Sequence, residues 1–212
     1  MNLEKWPGLL VTGTDTGIGK TWVSALIIEQ LRKVGTNAVG LKPVLSGGRD
    51  DAERLWQANG GVLDIDLINP HWYRTPVAPL VASRIEGSPL VLGDMVKHIQ
   101  QIRDDHEFTI VEGVGGWEVP MSEDFGFPEF AKALGLPIVV VAANWLGTIN
   151  HTLLTVKAIQ AAGLECVGVI LNHLEAERDV AATTNRMMLE ELCPVPIIGE
   201  VLTDADWVDW SE

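Results

Sequence analysis

A lysine and a hydroxyl residue behind a glycine-bearing turn can hold a polyphosphate, and GTDTGIGKT at 13–21 offers that combination. Backbone N–H groups of such a turn converge on phosphate oxygens, and a helix opening at its end adds partial positive charge. In this pattern Lys20 reaches the β- and γ-phosphates, and the Thr21 hydroxyl is a Mg²⁺ ligand. Gly13 and Gly19 are separated by five residues, one more than the usual phosphate-loop spacing. Aligning Gly19-Lys20-Thr21 puts Asp15 where partitioning and cell-division ATPases carry an early lysine, which argues against that subclass.

A second lysine, Lys42, stands in GLKPVLSGG at 40–48, where a strand gives way to a loop rich in Pro43, Gly47 and Gly48. There it can hold an anion or simply be solvated. Asp50 and Asp51 follow, as helix caps or as metal carboxylates. Glu112 ends an apolar run and opens EGVGG, and a buried carboxylate is costly unless paired or bound to a metal. Thr21, Asp51 and Glu112 together are oxygen donors of the kind Mg²⁺ takes, with water and phosphates completing the shell. In NWLGTINHTLLT at 144–155, Thr148 or Asn150 can cap a helix whose free N–H groups suit a carboxylate; His151 reads as structural. Asn172 sits at a strand end, and its amide has the donors and acceptor that a purine edge presents.

Elements of two kinds must position these residues. Apolar runs at 8–12, 37–41, 108–111, 137–143, 165–171 and 196–198 read as buried strands, rich in Val, Ile and Leu as in a parallel sheet covered on both faces. Helices are expected over 20–33, with Val23, Ile27 and Leu31 inward and Gly35 as a stop; over 149–162, with Leu153, Val156, Ile159 and Ala162 inward; and over 176–192, before Pro194. Residues 59–90 hold Pro70, Pro76, Pro79 and Pro89 and suggest a loop-rich insertion with one short helix near 78–86. The alternation predicts an α/β fold: a mostly parallel sheet flanked by helices, three layers α/β/α of the P-loop NTPase type, in one domain over 1–212. Ligands of such a sheet bind at the carboxyl ends of its strands.

Composition narrows the partners. Lys and Arg total 15 against 29 Asp and Glu, a net charge of −14, and no basic run offsets it; nucleic acid and anionic membranes are therefore not expected as partners. No apolar segment approaches the ~20 residues of a bilayer span. The N-terminus lacks a basic region followed by a long apolar stretch, and Cys166 and Cys193 are expected as two buried thiols, so the expected location is cytoplasmic.

GTDTGIGKT, LKPVLSGG, VEGVGGW and LGTINHTLLT, in that order, resemble the dethiobiotin synthetases of biotin biosynthesis, from about residue 10 to residue 200. The resemblance implies an ATP- and Mg²⁺-dependent ligase. It joins 7,8-diaminononanoate (7,8-diaminopelargonate) to CO₂ through a carbamate and a carbamic–phosphoric anhydride, releasing dethiobiotin, ADP and phosphate. It also implies roles: Lys20 and Lys42 as catalytic cations; Gly17, Ile18, Gly19, Lys20, Thr21, Asp51, Glu112 and Asn172 around ATP, with Asn172 at adenine; Thr21, Asp51 and Glu112 on Mg²⁺. Thr16, Lys42 and Ser46 would contact the substrate, and Gly147, Thr148 and Asn150 would take its carboxylate from the second subunit of a homodimer. Two departures stand out. Gly17 replaces an acidic residue of many relatives, and the tail after Val201 is short, with Trp207 and Trp210 expected to dock it. Two other readings remain: a P-loop switch ATPase acting through protein partners, and an inactive relative serving as a scaffold.

Overall fold

A computed structural model describes residues 5–176 and 179–211. Its sheet has the order β2-β5-β1-β6-β7-β8-β9, built from β1 (Gly8–Gly13), β2 (Ala38–Leu41), β5 (Phe108–Glu112), β6 (Ile138–Ala143), β7 (Cys166–Asn172), β8 (Ile197–Val201) and β9 (Asp209–Trp210). All pairings are parallel except β8–β9. The expected strand runs all form. The central ones, GLLVTG and IVVVAA, are buried along their whole length because helices cover both faces.

Register aligns the strand ends. Val11 pairs with Glu112, Gly13 with Val141, Leu41 with Val111 and Ala143 with Asn172. The chain leaves β1 towards β2, returns through β5 and then steps to β6, so the order reverses beside β1. A crevice at such a reversal is where an α/β sheet binds ligands.

Helix α1 (Lys20–Lys33) buries Val23 and Ile27 and packs Leu31 against the core, and Gly35 follows at φ +93. The segment 59–90 is more ordered than expected. Besides β3 (Val44–Ser46) and α2 (Asp50–Ala58) before it, it forms α3 (Ile65–Ile68), β4 (His71–Tyr73) and α4 (Pro79–Glu86). β3 and β4 pair in a separate parallel ladder, Val44 with His71 and Ser46 with Tyr73. Three-residue strands carry too little periodicity to be seen in sequence. Helices α5 (Leu92–Arg103) and α6 (Phe127–Leu134) complete this half.

Helix α7 (Thr148–Ala161) forms where expected but turns a different face inward: Thr148, Thr152, Thr155, Val156 and Ile159 are buried, while Ala162 is exposed. The spacing of three from Leu153 to Ala162 loses about 60° per step on a helix, so those four residues never shared one face. Helix α8 (Val180–Leu192) is capped by Asp179, whose carboxylate accepts from Ala182 N–H at 2.7 Å; part of the expected helix start, 177–178, lies outside the described residues.

The tail docks through Val208 and Trp210 rather than through both tryptophans. Gln30 on α1 donates to the Val208 carbonyl and accepts from its N–H, and Trp210 packs on the core, while Trp207 remains 53% exposed. Cys166 and Cys193 are free and only half-buried, not fully buried; burial still pushes the Cys166 thiol up to about 12, far from a reactive thiolate.

Candidate active site

The segment between β1 and α1 forms a turn whose residues Thr16, Gly17 and Gly19 line the crevice. Gly17 and Gly19 take φ of +74 and +85, values that L side chains resist. Ile18 anchors the turn in the core, and the Asn172 side-chain amide donates to its carbonyl at 2.9 Å. A Cβ on Gly19 would collide with that same amide. Asn172 therefore supports the loop from beneath, a contact that strand-end position alone did not reveal.

A cleft of about 520 Å³ opens above the loop. Lys20, Thr21, Lys42, Asp51 and Glu112 line it, as do Thr16, Gly17 and Ser46. Their contacts form one cluster. Lys42 Nζ donates to Glu112 Oε1, to the Gly113 carbonyl at 3.1 Å, and lies 3.0 Å from Asp51 Oδ2. Thr21 Oγ1 donates to Glu112 Oε1 at 2.7 Å. Asp51 rather than Asp50 makes the lysine contact, which separates the two adjacent acids. Lys20 Nζ folds back onto the Asp15 carbonyl at 2.8 Å.

Electrostatics distinguish the two lysines. Burial, reinforced by the nearby Lys42 charge, lowers Lys20 to about 8 against the pull of Glu112, Asp51 and Asp15, and its ammonium bonds a neutral carbonyl rather than a carboxylate. Burial also opposes the charge on Lys42, but Glu112 and Asp51 outweigh it and hold the ammonium above its ordinary range. Asp51 is likewise held low: burial works against its charge and Lys42 overcomes it.

Glu112 is 1% exposed, and its Oε2 has no hydrogen-bond partner. An orphaned carboxylate oxygen out of water marks a place for a further cation. With Asp51 and the Thr21 hydroxyl beside it, the donor set is all oxygen and carries two carboxylates, which fits Mg²⁺ better than a soft metal. Among the described residues there is no group of three or more His, Cys, Asp or Glu that could hold a metal, so the two carboxylates here would need the hydroxyl, water or phosphate to complete a shell.

Ser46 also carries a buried hydroxyl without a partner, beside the cleft. Gly147, Thr148 and Asn150 do not line the cleft of their own chain. Gly147 caps α7 at φ +99, Thr148 has an unpartnered buried hydroxyl, and Asn150 is exposed. Trp117 is buried and packs edge-on to Phe127 at 5.6 Å, a core role, and His151 is an exposed residue of the first turn of α7.

Sequence reasoning missed Arg54 and Trp22 at the rim. Arg54 lies 5.1 Å from the Trp22 ring and is paired with Glu29 at 2.7 Å. Arg54 follows Asp51 by three residues on α2, and that helical spacing was the available signal.

A family model described as an AAA domain matches residues 7–208. The chain is 44% identical over 200 residues to the ATP-dependent dethiobiotin synthetase BioD of Akkermansia muciniphila, covering 94% of both chains. It is 40% identical to the protein of the same name from Methanocaldococcus jannaschii, covering 94% of this chain and 95% of that one. Among solved structures, chloroplast FtsY from Physcomitrella patens superposes with a TM-score of 0.61 at 13% identity, over 97% of this chain and 61% of that one. A ParA family ATPase from Chlorobium tepidum gives 0.59 at 12%, over 93% and 85%. These two likenesses show the shared P-loop fold.

Proposed function

The chain belongs to the ATP-dependent dethiobiotin synthetases, and from that premise we propose that the cleft above the phosphate loop holds ATP and a carbamate of 7,8-diaminononanoate while the ring closes. The protein is a ligase that forms dethiobiotin at the expense of ATP. The observation that carries the assignment of the site is the meeting of Lys20, Lys42, Thr21, Asp51 and Glu112 in one cleft.

The chemistry requires one anion to attack another. An amine of the substrate adds to CO₂ and loses a proton, giving a carbamate. A carbamate oxygen attacks the γ-phosphorus, the bond to the ADP oxygen breaks, and a carbamic–phosphoric anhydride results. The second amine attacks the carbamic carbon, loses a proton to solvent and expels phosphate. Each step demands positioning and charge neutralisation more than covalent help from the protein.

Lys42, tethered between Glu112 and Asp51, is the group to hold the carbamate and the transferring phosphoryl oxygens. Lys20, bonded to a neutral carbonyl rather than a carboxylate, is the group to meet the β- and γ-phosphates. Thr16 and Ser46 are assigned to the substrate, and Gly17 to Thr21 to the triphosphate. Asn172 is assigned to adenine as well as to its loop contact. Mg²⁺, when bound, neutralises triphosphate charge, and Thr21, Asp51 and Glu112 are the residues to hold it.

Gly147, Thr148 and Asn150 are assigned to the substrate carboxylate in the cleft of a second protomer. In support, they stand off their own cleft, and the neighbouring Leu146 and Leu154 leave 83% and 59% of their surface exposed. An acidic homodimer of this kind is placed in the cytoplasm. Among the described residues no helix is long and apolar enough to cross a membrane. Incubation with 7,8-diaminononanoate, bicarbonate, Mg²⁺ and ATP should yield dethiobiotin by mass and ADP in equal amount; ADP without dethiobiotin would reject the reading in favour of a plain ATPase.

A further inference from the structure

Lys42 is held in place by a stretch of chain that brings no reactive group to the cleft. Its backbone N–H donates to the Ile68 carbonyl at 2.9 Å, and its carbonyl accepts from the Asn69 side-chain amide at 2.8 Å. Asn69 is 1% exposed, so both bonds are made away from water, where an unmatched group costs most. Asn69 Oδ1 accepts from Arg49 Nε at 3.2 Å, and Arg49 Nη2 donates to the Asn69 carbonyl at 3.1 Å.

Arg49 in turn lies 4.9 Å from the Trp72 ring centre. Trp72 Nε1 donates to the Gly47 carbonyl at 2.8 Å, and the Gly47 N–H donates to the Tyr73 carbonyl at 2.8 Å. The loop from Lys42 to Asp51 is thus braced at its entry by Asn69, at its middle through Gly47, and at its exit through Arg49. Its two ends then meet where Lys42 Nζ and Asp51 Oδ2 lie 3.0 Å apart.

We infer that Asn69 is a positioning residue for Lys42, with Arg49 and Trp72 as its braces. The inference rests on Lys42 being the carbamate cation. A neutral amide suits the place because it donates to the Lys42 carbonyl and accepts from a guanidinium at once. A carboxylate keeps the acceptor but sets a second acceptor against that carbonyl, leaving both without a proton to share.

Asn69→Asp, close in shape, tests this. Turnover should fall about 10- to 100-fold, as for a small misplacement of a reacting group. The affinity for MgATP in calorimetry should stay within about twofold, because the phosphate loop is untouched. Arg49→Met, at a partly exposed position, should shift turnover the same way by less and keeps the inference testable if Asn69→Asp does not fold. Wild-type turnover in a folded variant, or a loss matched by an equal loss of MgATP affinity, overturns the inference. Wild-type protein that forms no dethiobiotin would refute the assigned reaction instead. Amide exchange over 40–48 then decides the role of Asn69: exchange as slow in the variants as in wild type overturns it, and faster exchange confined to this loop supports it.

Discussion

Lys20 and Lys42 carry the same charge into one cleft, yet their surroundings separate their work. Lys42 is locked by two carboxylates, whereas Lys20 has only a backbone carbonyl and a lowered pKa of about 8. A triphosphate therefore gains more from Lys20. Both Lys20→Ala and Lys42→Ala should abolish dethiobiotin formation, but calorimetry should find the larger loss of ATP affinity in Lys20→Ala; equal losses would move Lys42 to the nucleotide. Glu112→Gln keeps the shape and one acceptor oxygen for Lys42 and Thr21, turns the other oxygen into an NH₂ donor, and removes the charge. The expected result is a Mg²⁺ requirement raised by about tenfold or more with little change in melting temperature, since a neutral amide is a weak Mg²⁺ ligand. A much lower melting temperature with an unchanged Mg²⁺ titration would make the residue structural.

At the scale of elements, the phosphate loop depends on β7 as much as on its own glycines. Gly19 sits at φ +85 with Asn172 directly behind it. An alanine there faces a left-handed conformation costing about 1–2 kcal/mol and pushes away the amide that holds the Ile18 carbonyl. Gly19→Ala should weaken ATP binding by about tenfold or more, the order of a lost buried hydrogen bond plus that strain, while circular dichroism stays native. Binding at wild-type strength would mean that the loop reshapes without Asn172. On helix α7 the buried threonines share the inward face with the expected Val156 and Ile159, leaving Leu154 outside.

At the scale of the whole molecule, Gly147, Thr148 and Asn150 line no part of their own chain's cleft, and the proposed dimer would bring them to the cleft of the second protomer. A two-fold pair presents the same segment of each protomer to the other. Mixing Lys20→Ala with Asn150→Ala, each inactive alone, should restore about a quarter of wild-type activity, since half of randomly paired dimers are mixed and half their sites are whole. No recovery after subunit exchange is verified by mass would place Asn150 within its own chain's site, or outside any site.

The sequence alone determined the six long parallel strands, the helices at 20–33, 78–86, 149–162 and 176–192, the phosphate loop, and the residue types at each strand end, because these depend on local periodicity and on short spacings such as Gly19-Lys20-Thr21; it did not show β3, β4, β9, α3, α5 or α6. It pointed to Lys42 and Glu112 through their strand-end positions, since a polar residue closing a buried run is informative by itself. Only the tertiary structure decided that Asp51 rather than Asp50 meets Lys42, that Asn172 props the loop, and that Asn69 grips the Lys42 backbone. Those contacts join residues 9, 154 and 27 positions apart, and the last two are hydrogen bonds from single side chains. No local pattern encodes them; they follow from the parallel register that brings the carboxyl ends of β1, β5 and β7 to the same edge of the sheet, and from the β3–β4 ladder that brings the 64–73 segment against the lysine.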